Sequence, residues 1–302
     1  MRIVSLLPSA TEILFGIGAG DQVVGVTHEC DYPQAARSLP QLTASALPAS
    51  RSSGEIDRHV RAALHAGSSL YALDGTLLEQ LAPDLIVTQE LCAVCAVSYE
   101  IVDRAAKRLR QDPRLVSLEP SSLDDVLATI EFLGEITGRS EGARALVGAL
   151  RERIDALRAR SAARTARPRT LVLEWTDPPM SGGHWTPGLV ELAGGEPVLG
   201  HPGANSQALG WAAIAAADPD AIVVAPCGYD LAATRAAIRE LEGAASWRDL
   251  RAVRAQRVLA MDGNAYLNRP GPRLVDTAEA IAEFLSAGAS PPRGSAWPFA
   301  PA

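Results

Sequence analysis

Short apolar runs alternate with longer amphipathic stretches along the chain, a pattern typical of βα units that build parallel sheets. In the first half we predict strands at "RIVSLL", "QVVGVT", "DLIVTQ" and "RLVSLE", and in the second half at "RTLVLEW", "PDAIVVAPCG" and "RVLAMDG". A helix, a Pro-Asp pair, an apolar strand and a polar loop recur in this order at Pro83-Asp84 and at Pro219-Asp220. The repeat predicts two related α/β lobes.

Local signals predict where several helices begin. "PSATEILFGIG" has Ser9 and Glu12 spaced as a capping box. "TPGLVELAGG" has Thr186 as the predicted N-cap and Pro187 in the first turn. Residues 140–164 carry an apolar stripe at helical spacing, with no proline until residue 168, so they predict one continuous helix.

Together these patterns predict an α/β fold of two Rossmann-like lobes with parallel sheets, joined by a single long helix, with a ligand cleft between the lobes. A chain of 302 residues is long enough for two lobes. We assign residues 1–139 to the N-terminal lobe, 140–165 to the linking helix and 166–287 to the C-terminal lobe. Residues 288–302 form a tail rich in Pro, Gly and Ala, which we expect to wrap the surface or to be disordered.

Charge and hydropathy narrow the class of protein. The net charge of −7 argues against nucleic acid as a partner, because phosphate binding needs a basic face. The sequence contains no run of about 18 apolar residues, so it predicts no membrane-spanning helix. "MRIVSLLPSATE" enters a strand without a signal peptide, so we expect a cytoplasmic protein, or a periplasmic or secreted one if Met1 is not the native start.

Unusual residues cluster directly after the predicted strands, where open α/β sheets bind their ligands. Arg269 is a candidate clamp for an anionic ligand or a helix cap. The candidate ligand-binding residues are Pro8, Ser9, His28, Glu29, Asp31, Tyr32, Gln89, Glu90, Trp175, His184, Trp185, Gly228, Tyr229, Asn264, Tyr266 and Arg269.

All four cysteines also fall in these segments: Cys30, Cys92, Cys95 and Cys227. Cys92 and Cys95 form a C-x-x-C pair, which is consistent with a metal site, a redox pair or two small packing residues. We expect this pair to lie at the cleft. Four thiolates that converge would suit a soft metal ion.

Several segments together resemble one known family. They are "RIVSLLPSATEI", "VVGVTHECDYP", "LAPDLIV", "EWTDPPMSGG", "DPDAIVV" and "RPGPRLV". Over about residues 1–287 the chain resembles the metal-chelate class of ABC-transporter substrate-binding proteins, and within it the vitamin B12 (cobalamin)-binding proteins. The resemblance implies a non-enzymatic protein that binds cobalamin, another corrinoid or a related small-molecule metal chelate. Trp175, Trp185, Tyr266 and the loop from His28 to Tyr32 would hold the ligand, and His28 or the thiols would face its metal.

The chain departs from the family at three positions. Transported members carry a glutamate seven residues before the proline of each Pro-Asp pair, where this chain has Thr76 and Ala212. The missing carboxylates imply that an ABC permease is an unlikely partner. Gln89 stands where the B12-binding members have an aromatic residue.

Two hypotheses from other classes stay open. One is a thiol redox enzyme with Cys92 as nucleophile and Cys95 as resolving thiol. The other is a direct zinc or iron site built from Cys30, Cys92, Cys95 and Cys227.

Overall fold

The structure is a computed structural model that describes residues 1–45, 52–65, 70–89, 98–287 and 300–301. Contacts divide the chain into two units. The first unit comprises residues 1–51, 55–120 and 127–148, and the second comprises residues 52–54, 121–126 and 149–302.

The first unit is built on a parallel sheet. The strands of this unit are β1 (Ile3–Ser5), β2 (Val23–Val26), β3 (Thr43–Ser45), β4 (Tyr71–Leu73), β5 (Leu85–Thr88) and β6 (Arg114–Ser117). The sheet has the order β2-β1-β5-β6 with parallel pairing throughout, and β3 pairs with β4 in a separate antiparallel ladder.

Helices cover both faces of this sheet. They are α1 (Pro8–Gly16), α2 (Ser53–His65), α3 (Gly75–Leu81), α4 (Tyr99–Ala106), α5 (Leu123–Ile136) and the first part of α6 (Ser140–Ala162). On one face Val4 and Ile86 of the strands pack with Leu78 of α3 and Val102 of α4, all of them almost fully buried. This burial on both faces explains why the strands read as continuous apolar runs.

The second unit has a mixed sheet. Its strands are β7 (Arg169–Thr176), β8 (Pro179–Ser181), β9 (Glu196–Pro197), β10 (Ala221–Val224), β11 (Val258–Ala260) and β12 (Ala300–Pro301). The order is β12-β11-β10-β7-β8, and β9 also pairs with β7. β7, β10 and β11 are parallel, whereas β8 and β12 join the edges in antiparallel pairing.

Short and long helices flank the second sheet. They are α7 (Thr186–Leu192), α8 (Trp211–Ala217), α9 (Leu231–Glu242), α10 (Ala245–Arg248), α11 (Arg251–Arg254) and α12 (Leu274–Ser286). Trp247, which is 1% exposed, packs in a cluster with Leu171, Ile222 and Ile238. No helix among the described residues is long and apolar enough to cross a membrane.

The α/β fold is as predicted, with two refinements in the second unit. The seven predicted strands correspond to β1, β2, β5, β6, β7, β10 and β11. The second sheet is not purely parallel, because the short strands β8 and β12 run antiparallel to their neighbours. The tail includes β12, while residues 288–299 lie outside the described residues.

The two predicted helix caps are wrong. α1 begins at Pro8 and its N-cap is Leu7, which makes no side-chain capping bond, so Ser9 lies inside the first turn and forms no capping box with Glu12. Proline fits this first position because its φ is already helical and its missing N–H needs no acceptor. In α7 the N-cap is Trp185 and Thr186 belongs to the first turn.

The segment predicted as one continuous helix is α6, which runs unbroken from Ser140 to Ala162. Its first part packs closely in the first unit, since a Cβ on Gly142 would lie 2.2 Å from the carbonyl oxygen of Ile17. Gly148 on the same helix faces open space. In the second unit, Arg153 of α6 donates hydrogen bonds to Asp276 and Glu279 of α12.

These two glycines give a matched pair of substitutions. We expect Gly142→Ala to lower the free energy of unfolding by about 1 to 3 kcal/mol, because its methyl group collides with a backbone carbonyl that cannot rotate away. Gly148→Ala should raise it by up to about 1 kcal/mol, as alanine is the better helix former. Urea denaturation measures both changes, and a stabilising Gly142→Ala would contradict this packing.

Candidate functional site

In each sheet the register of the parallel strands aligns their carboxyl ends with one another. In the first unit Ser5 is opposite both Val26 and Val87. In the second unit Val224 is opposite both Leu173 and Ala260. The loops that follow these parallel strands therefore leave side by side at the carboxyl edge of each sheet.

His28 is held at the edge of the first sheet by a network of threonines. Its Nδ1 lies 2.6 Å from Oγ1 of Thr43, and its backbone N–H donates to the same oxygen at 3.1 Å. Thr27 Oγ1 lies 2.7 Å from Thr43 Oγ1, and the ring of Tyr71 lies 5.7 Å from the imidazole. Burial lowers the pKa of His28, which favours the neutral ring.

The outer nitrogen of this imidazole is more open. The His28 side chain is 22% exposed, and its Nε2 lies 3.9 Å from the carboxylate of Glu29. Nδ1 is engaged with Thr43, so Nε2 is the ring atom available to a ligand.

The other first-unit candidates differ in exposure. Ser9 is 1% exposed and Gln89 is 6% exposed, while Tyr32 is 48% exposed. Pro8 is buried in the first turn of α1, and Asp31 accepts a hydrogen bond from Arg37 through its backbone carbonyl. Glu90 lies outside the described residues.

The predicted thiol site is only partly described. Cys30 is 1% exposed, and its Sγ lies 3.0 Å from Oγ1 of Thr11 in the first unit. Cys227 is half-buried in the second unit. Cys92 and Cys95 lie outside the described residues, so the location of the pair and the convergence of the four thiols stay predictions. Among the described residues no cluster of three or more His, Cys, Asp and Glu residues is arranged to hold a metal ion.

An aromatic pair stands at the edge of the second sheet. Trp175, near the end of β7, meets Tyr229 edge to face with ring centroids 5.4 Å apart. The Trp175 indole donates to the carbonyl of Asp177 at 3.1 Å. Gly228 precedes Tyr229 with φ of +76°, a conformation that favours glycine and turns the chain after β10.

The Tyr229 hydroxyl is a buried polar group without a hydrogen bond in the described residues. Burial raises the pKa of Tyr229, and the nearby hydroxyl of Ser53 partly opposes this rise. The two hydroxyl groups are not hydrogen-bonded to each other. Residues 52–54 belong to the second unit by their contacts. An unsatisfied buried hydroxyl is costly, so it marks a place where a ligand acceptor would be stabilising.

The loop after β11 packs tightly against the loop after β10. A Cβ on Gly263 would lie 2.2 Å from the carbonyl oxygen of Pro226, so only glycine allows this approach. The backbone N–H of Asn264 donates to Tyr229 at 3.0 Å. Arg273 stacks over Tyr266 at 5.1 Å from the ring centroid. The close contact between the loops fixes the position of Tyr229.

Arg269 is 5% exposed, so the structure places this predicted anion clamp in a buried position.

His184 and Trp185 form a rigid turn before α7. His184 has φ of +48°, a left-handed conformation that is uncommon for a residue other than glycine. Its Nε2 lies 3.0 Å from Oδ1 of Asn205, and the Trp185 indole donates to the carbonyl of Leu267 at 2.8 Å. The two rings are 5.6 Å apart.

Glu174 is a half-buried residue of β7 that the sequence patterns did not indicate. Burial of its carboxyl raises its pKa to about 6, and the nearby Ser206 hydroxyl and Gly183 N–H only partly oppose this rise. A lone acidic residue at the end of the apolar run "TLVLEW" was the signal that could have identified it.

Thr43 was also missed, and its role had no sequence signal. It lies on β3, a three-residue strand with no distinctive pattern, and only the fold brings it to His28.

Two open grooves of the second unit lie among helices and not among the strand-end residues. One, of about 460 Å³, is lined by residues of α6 and α12 that include Leu157, Arg164 and Glu283. The other, of about 420 Å³, is lined by residues that include Trp211 of α8 and Arg251 of α11. The chemistry gathered at the edge of the sheet makes that edge the better candidate.

The raised pKa of Glu174 predicts a pH dependence of stability. The folded protein binds this proton more tightly than the unfolded chain, so the stabilisation is complete below about pH 4.5 and is lost as the pH rises through about 6. We expect the wild type to lose about 2 kcal/mol of unfolding free energy relative to Glu174→Gln between pH 4 and 7.5. Denaturant titrations across this range measure the difference, and a difference that rises with pH would contradict the burial of this carboxyl.

Comparison with known proteins agrees with the fold. The chain is 25% identical over 294 residues to an uncharacterised ABC transporter substrate-binding lipoprotein of Bacillus subtilis. The match covers 94% of this chain and 79% of that protein. It is 23% identical over 295 residues to the vitamin B12-binding protein of Vibrio cholerae, with 94% and 88% covered.

Solved structures show the same architecture. A periplasmic heme-binding protein from Roseiflexus sp. RS-1 superposes with a TM-score of 0.71 at 24% identity, with 96% of this chain and 99% of the other covered. The family model of periplasmic binding proteins matches residues 3–265. This chain therefore belongs to the periplasmic binding protein family.

Proposed function

We propose that this protein is a non-enzymatic solute-binding protein whose ligand is cobalamin, another corrinoid or a related metal chelate. The observation that carries the proposal is the Trp175–Tyr229 pair with its unsatisfied buried hydroxyl. Aromatic walls suit the large flat surface of a macrocycle, and a corrinoid carries peripheral amides that accept hydrogen bonds.

His28 supports a metal-bearing ligand. A neutral imidazole is a good ligand for cobalt, iron or zinc, and burial keeps this ring neutral. Its Nδ1 is fixed by Thr43, an arrangement that commonly orients a metal-binding histidine through its second nitrogen. Because the chelate would already hold the metal, the protein would need to supply only one further ligand to the metal.

The family supports the same class of ligand. The Vibrio cholerae relative is a vitamin B12-binding protein, and a structural neighbour binds heme. A corrinoid and a heme share a metal-bearing macrocycle, so both are probes for this site. No observation among the described residues favours the thiol-enzyme or direct-metal alternatives.

We further propose that the protein does not stimulate an ABC importer. The structure places Thr76 second in α3 and Ala212 second in α8, and both are exposed. These helices occupy matching positions before β5 and β10. Neither offers the carboxylate that the resemblance implies for docking.

Titration with cobalamin tests the ligand. The wild type should bind aquocobalamin with a shift of its visible bands as an imidazole replaces the cobalt-bound water. His28→Ala should remove the shift, whereas His59→Ala, on an exposed face of α2, should retain it. Tyr229→Phe should keep the stability of the free protein and weaken binding about three- to ten-fold, the contribution of one hydrogen bond. Hemin is titrated in parallel, and a wild type that binds neither macrocycle would contradict the proposal.

Importer coupling is tested by reconstitution. A vitamin B12 importer in liposomes should show no increase in ATP hydrolysis with this protein, with or without cobalamin. The Vibrio cholerae vitamin B12-binding protein with its own importer is the positive control. Clear stimulation by the wild type would show that the docking argument from positions 76 and 212 is wrong.

A further inference from the structure

Two buried threonine hydroxyls lie together at the carboxyl end of β2. Just before them, the N–H of Leu42 donates to the carbonyl of Val26 at 2.9 Å, which brings the start of β3 beside the end of β2. Thr27 and Thr43 are therefore neighbours, and they are 6% and 7% exposed. Their Oγ1 atoms lie 2.7 Å apart, so one hydroxyl donates a hydrogen bond to the other.

The Thr43 hydroxyl also contacts His28 at two atoms. It accepts the backbone N–H of His28 at 3.1 Å, and it lies 2.6 Å from Nδ1 of the ring. Thr27 Oγ1 lies 3.4 Å from Nδ1, a longer and weaker approach. Each hydroxyl carries one hydrogen and two lone pairs, so the donors and acceptors of this group can be counted.

One assignment gives every hydrogen of the group an acceptor. Thr27 donates to Thr43, and Thr43 donates to Nδ1 while it accepts from Thr27 and from the His28 backbone. Nδ1 is then an acceptor and carries no hydrogen. The neutral ring must therefore carry its proton on Nε2.

The opposite tautomer leaves one buried hydrogen without an acceptor. A hydrogen on Nδ1 has to be donated to Thr43, and the Thr43 hydroxyl then donates to Thr27. Among the residues that the structure describes, the Thr27 hydroxyl has no acceptor left, because both lone pairs of Thr43 are used and Nδ1 is itself a donor. An unsatisfied buried donor costs free energy, so the network favours the Nε2–H form.

The outer side of the ring agrees with this assignment. Nε2 lies 3.9 Å from the carboxylate of Glu29. A hydrogen on Nε2 is attracted to that negative charge, whereas a lone pair at the same place is repelled by it.

We infer that Thr27 and Thr43 hold His28 in the Nε2–H tautomer in the ligand-free protein, so that the ring offers a hydrogen-bond donor to an oxygen acceptor of the ligand. Coordination of a metal by Nε2 then requires a tautomer change: Nε2 releases its proton to solvent, Nδ1 takes one up, and both hydroxyls reverse. The tautomer of the free protein stands by itself, whereas the change on coordination rests on the proposed function. Thr43 is the positioning residue, and Thr27 sets the direction of its hydroxyl.

Nitrogen-15 NMR of the full-length ligand-free protein with labelled histidine tests the tautomer. At a pH where the ring is neutral, Nε2 of His28 should carry a hydrogen and show a pyrrole-like shift, while Nδ1 shows a pyridine-like shift. The Nε2–H form should exceed the other by at least about ten-fold, the ratio expected when the alternative leaves a buried hydroxyl unsatisfied. His28→Gln assigns the two signals by removing them. A hydrogen on Nδ1 of His28 would overturn the inference.

Substitutions of Thr43 separate the network from the ring's own preference, because a histidine in water already favours the Nε2–H form. Thr43→Val keeps the size and removes the hydroxyl, so the ratio of the two tautomers should fall at least about three-fold. Thr43→Ser keeps the hydroxyl and should keep the ratio. Thr234→Val is the matched control, since it removes a buried hydroxyl that donates to Met261 in the second unit. An unchanged ratio in Thr43→Val would overturn the role of the threonines.

The Nδ1 signal of the wild type keeps the test decisive if Thr43→Val does not fold. A pyridine-like nitrogen that accepts a hydrogen bond resonates upfield of one that accepts none, and Nδ1 of His28 should show this upfield shift. His59 is the internal reference, since its Nδ1 lies 3.1 Å from the carbonyl of Glu55, which can only accept. His59 should therefore have a larger share of the Nδ1–H form than His28. An Nδ1 of His28 without the upfield shift would overturn the inference.

Aquocobalamin separates the tautomer from the proposed function. Its low-spin cobalt(III) is diamagnetic, so the same spectrum can be recorded for the complex, where coordination by His28 should move the hydrogen from Nε2 to Nδ1. A shift of the visible bands with Nδ1 still unprotonated would overturn the tautomer change. A wild type that binds no cobalamin would count against the proposed function alone, since the spectrum of the free protein stands without ligand.

Discussion

The parallel register within each sheet is the constraint on which the candidate residues of each unit depend. Leu173, Val224 and Ala260 are level across three strands of the second sheet, so the chain leaves all three at one edge. Parallel strands need long crossovers, which places helices on the faces and leaves the carboxyl edge open for side chains. Trp175 and Tyr229 meet because their strands end together, although they are far apart in sequence.

Hydrogen bonds that fix single side chains then refine each edge. Thr43 engages the inner nitrogen of His28 and leaves Nε2 outermost, and the close approach of Gly263 to Pro226 sets the loop that carries Tyr229. Burial raises the pKa of Glu174 to about 6, so the ionised form of this carboxyl is disfavoured.

Sequence patterns predicted the parts of this fold that follow from periodicity. The apolar runs identified the central strands, and the uninterrupted stripe of residues 140–164 identified α6. Caps failed at Ser9 and Thr186 because the N-caps lie two residues earlier in α1, at Leu7, and one residue earlier in α7, at Trp185, a choice that local spacing does not reveal. The antiparallel strand β8 is three residues long and carries too little pattern to be recognised.

The candidate residues could be listed from the sequence, but their contacts could not. The hydrogen-bond partners Thr43 of His28 and Asn205 of His184 depend on tertiary packing, which the spacing of residues along the chain does not reveal. Binding of a metal-bearing macrocycle is tested by the visible spectrum and metal content of the protein purified from its own host grown with cobalamin. We expect a coloured protein with cobalt or iron approaching one atom per chain. A colourless, metal-free protein would contradict the proposed function.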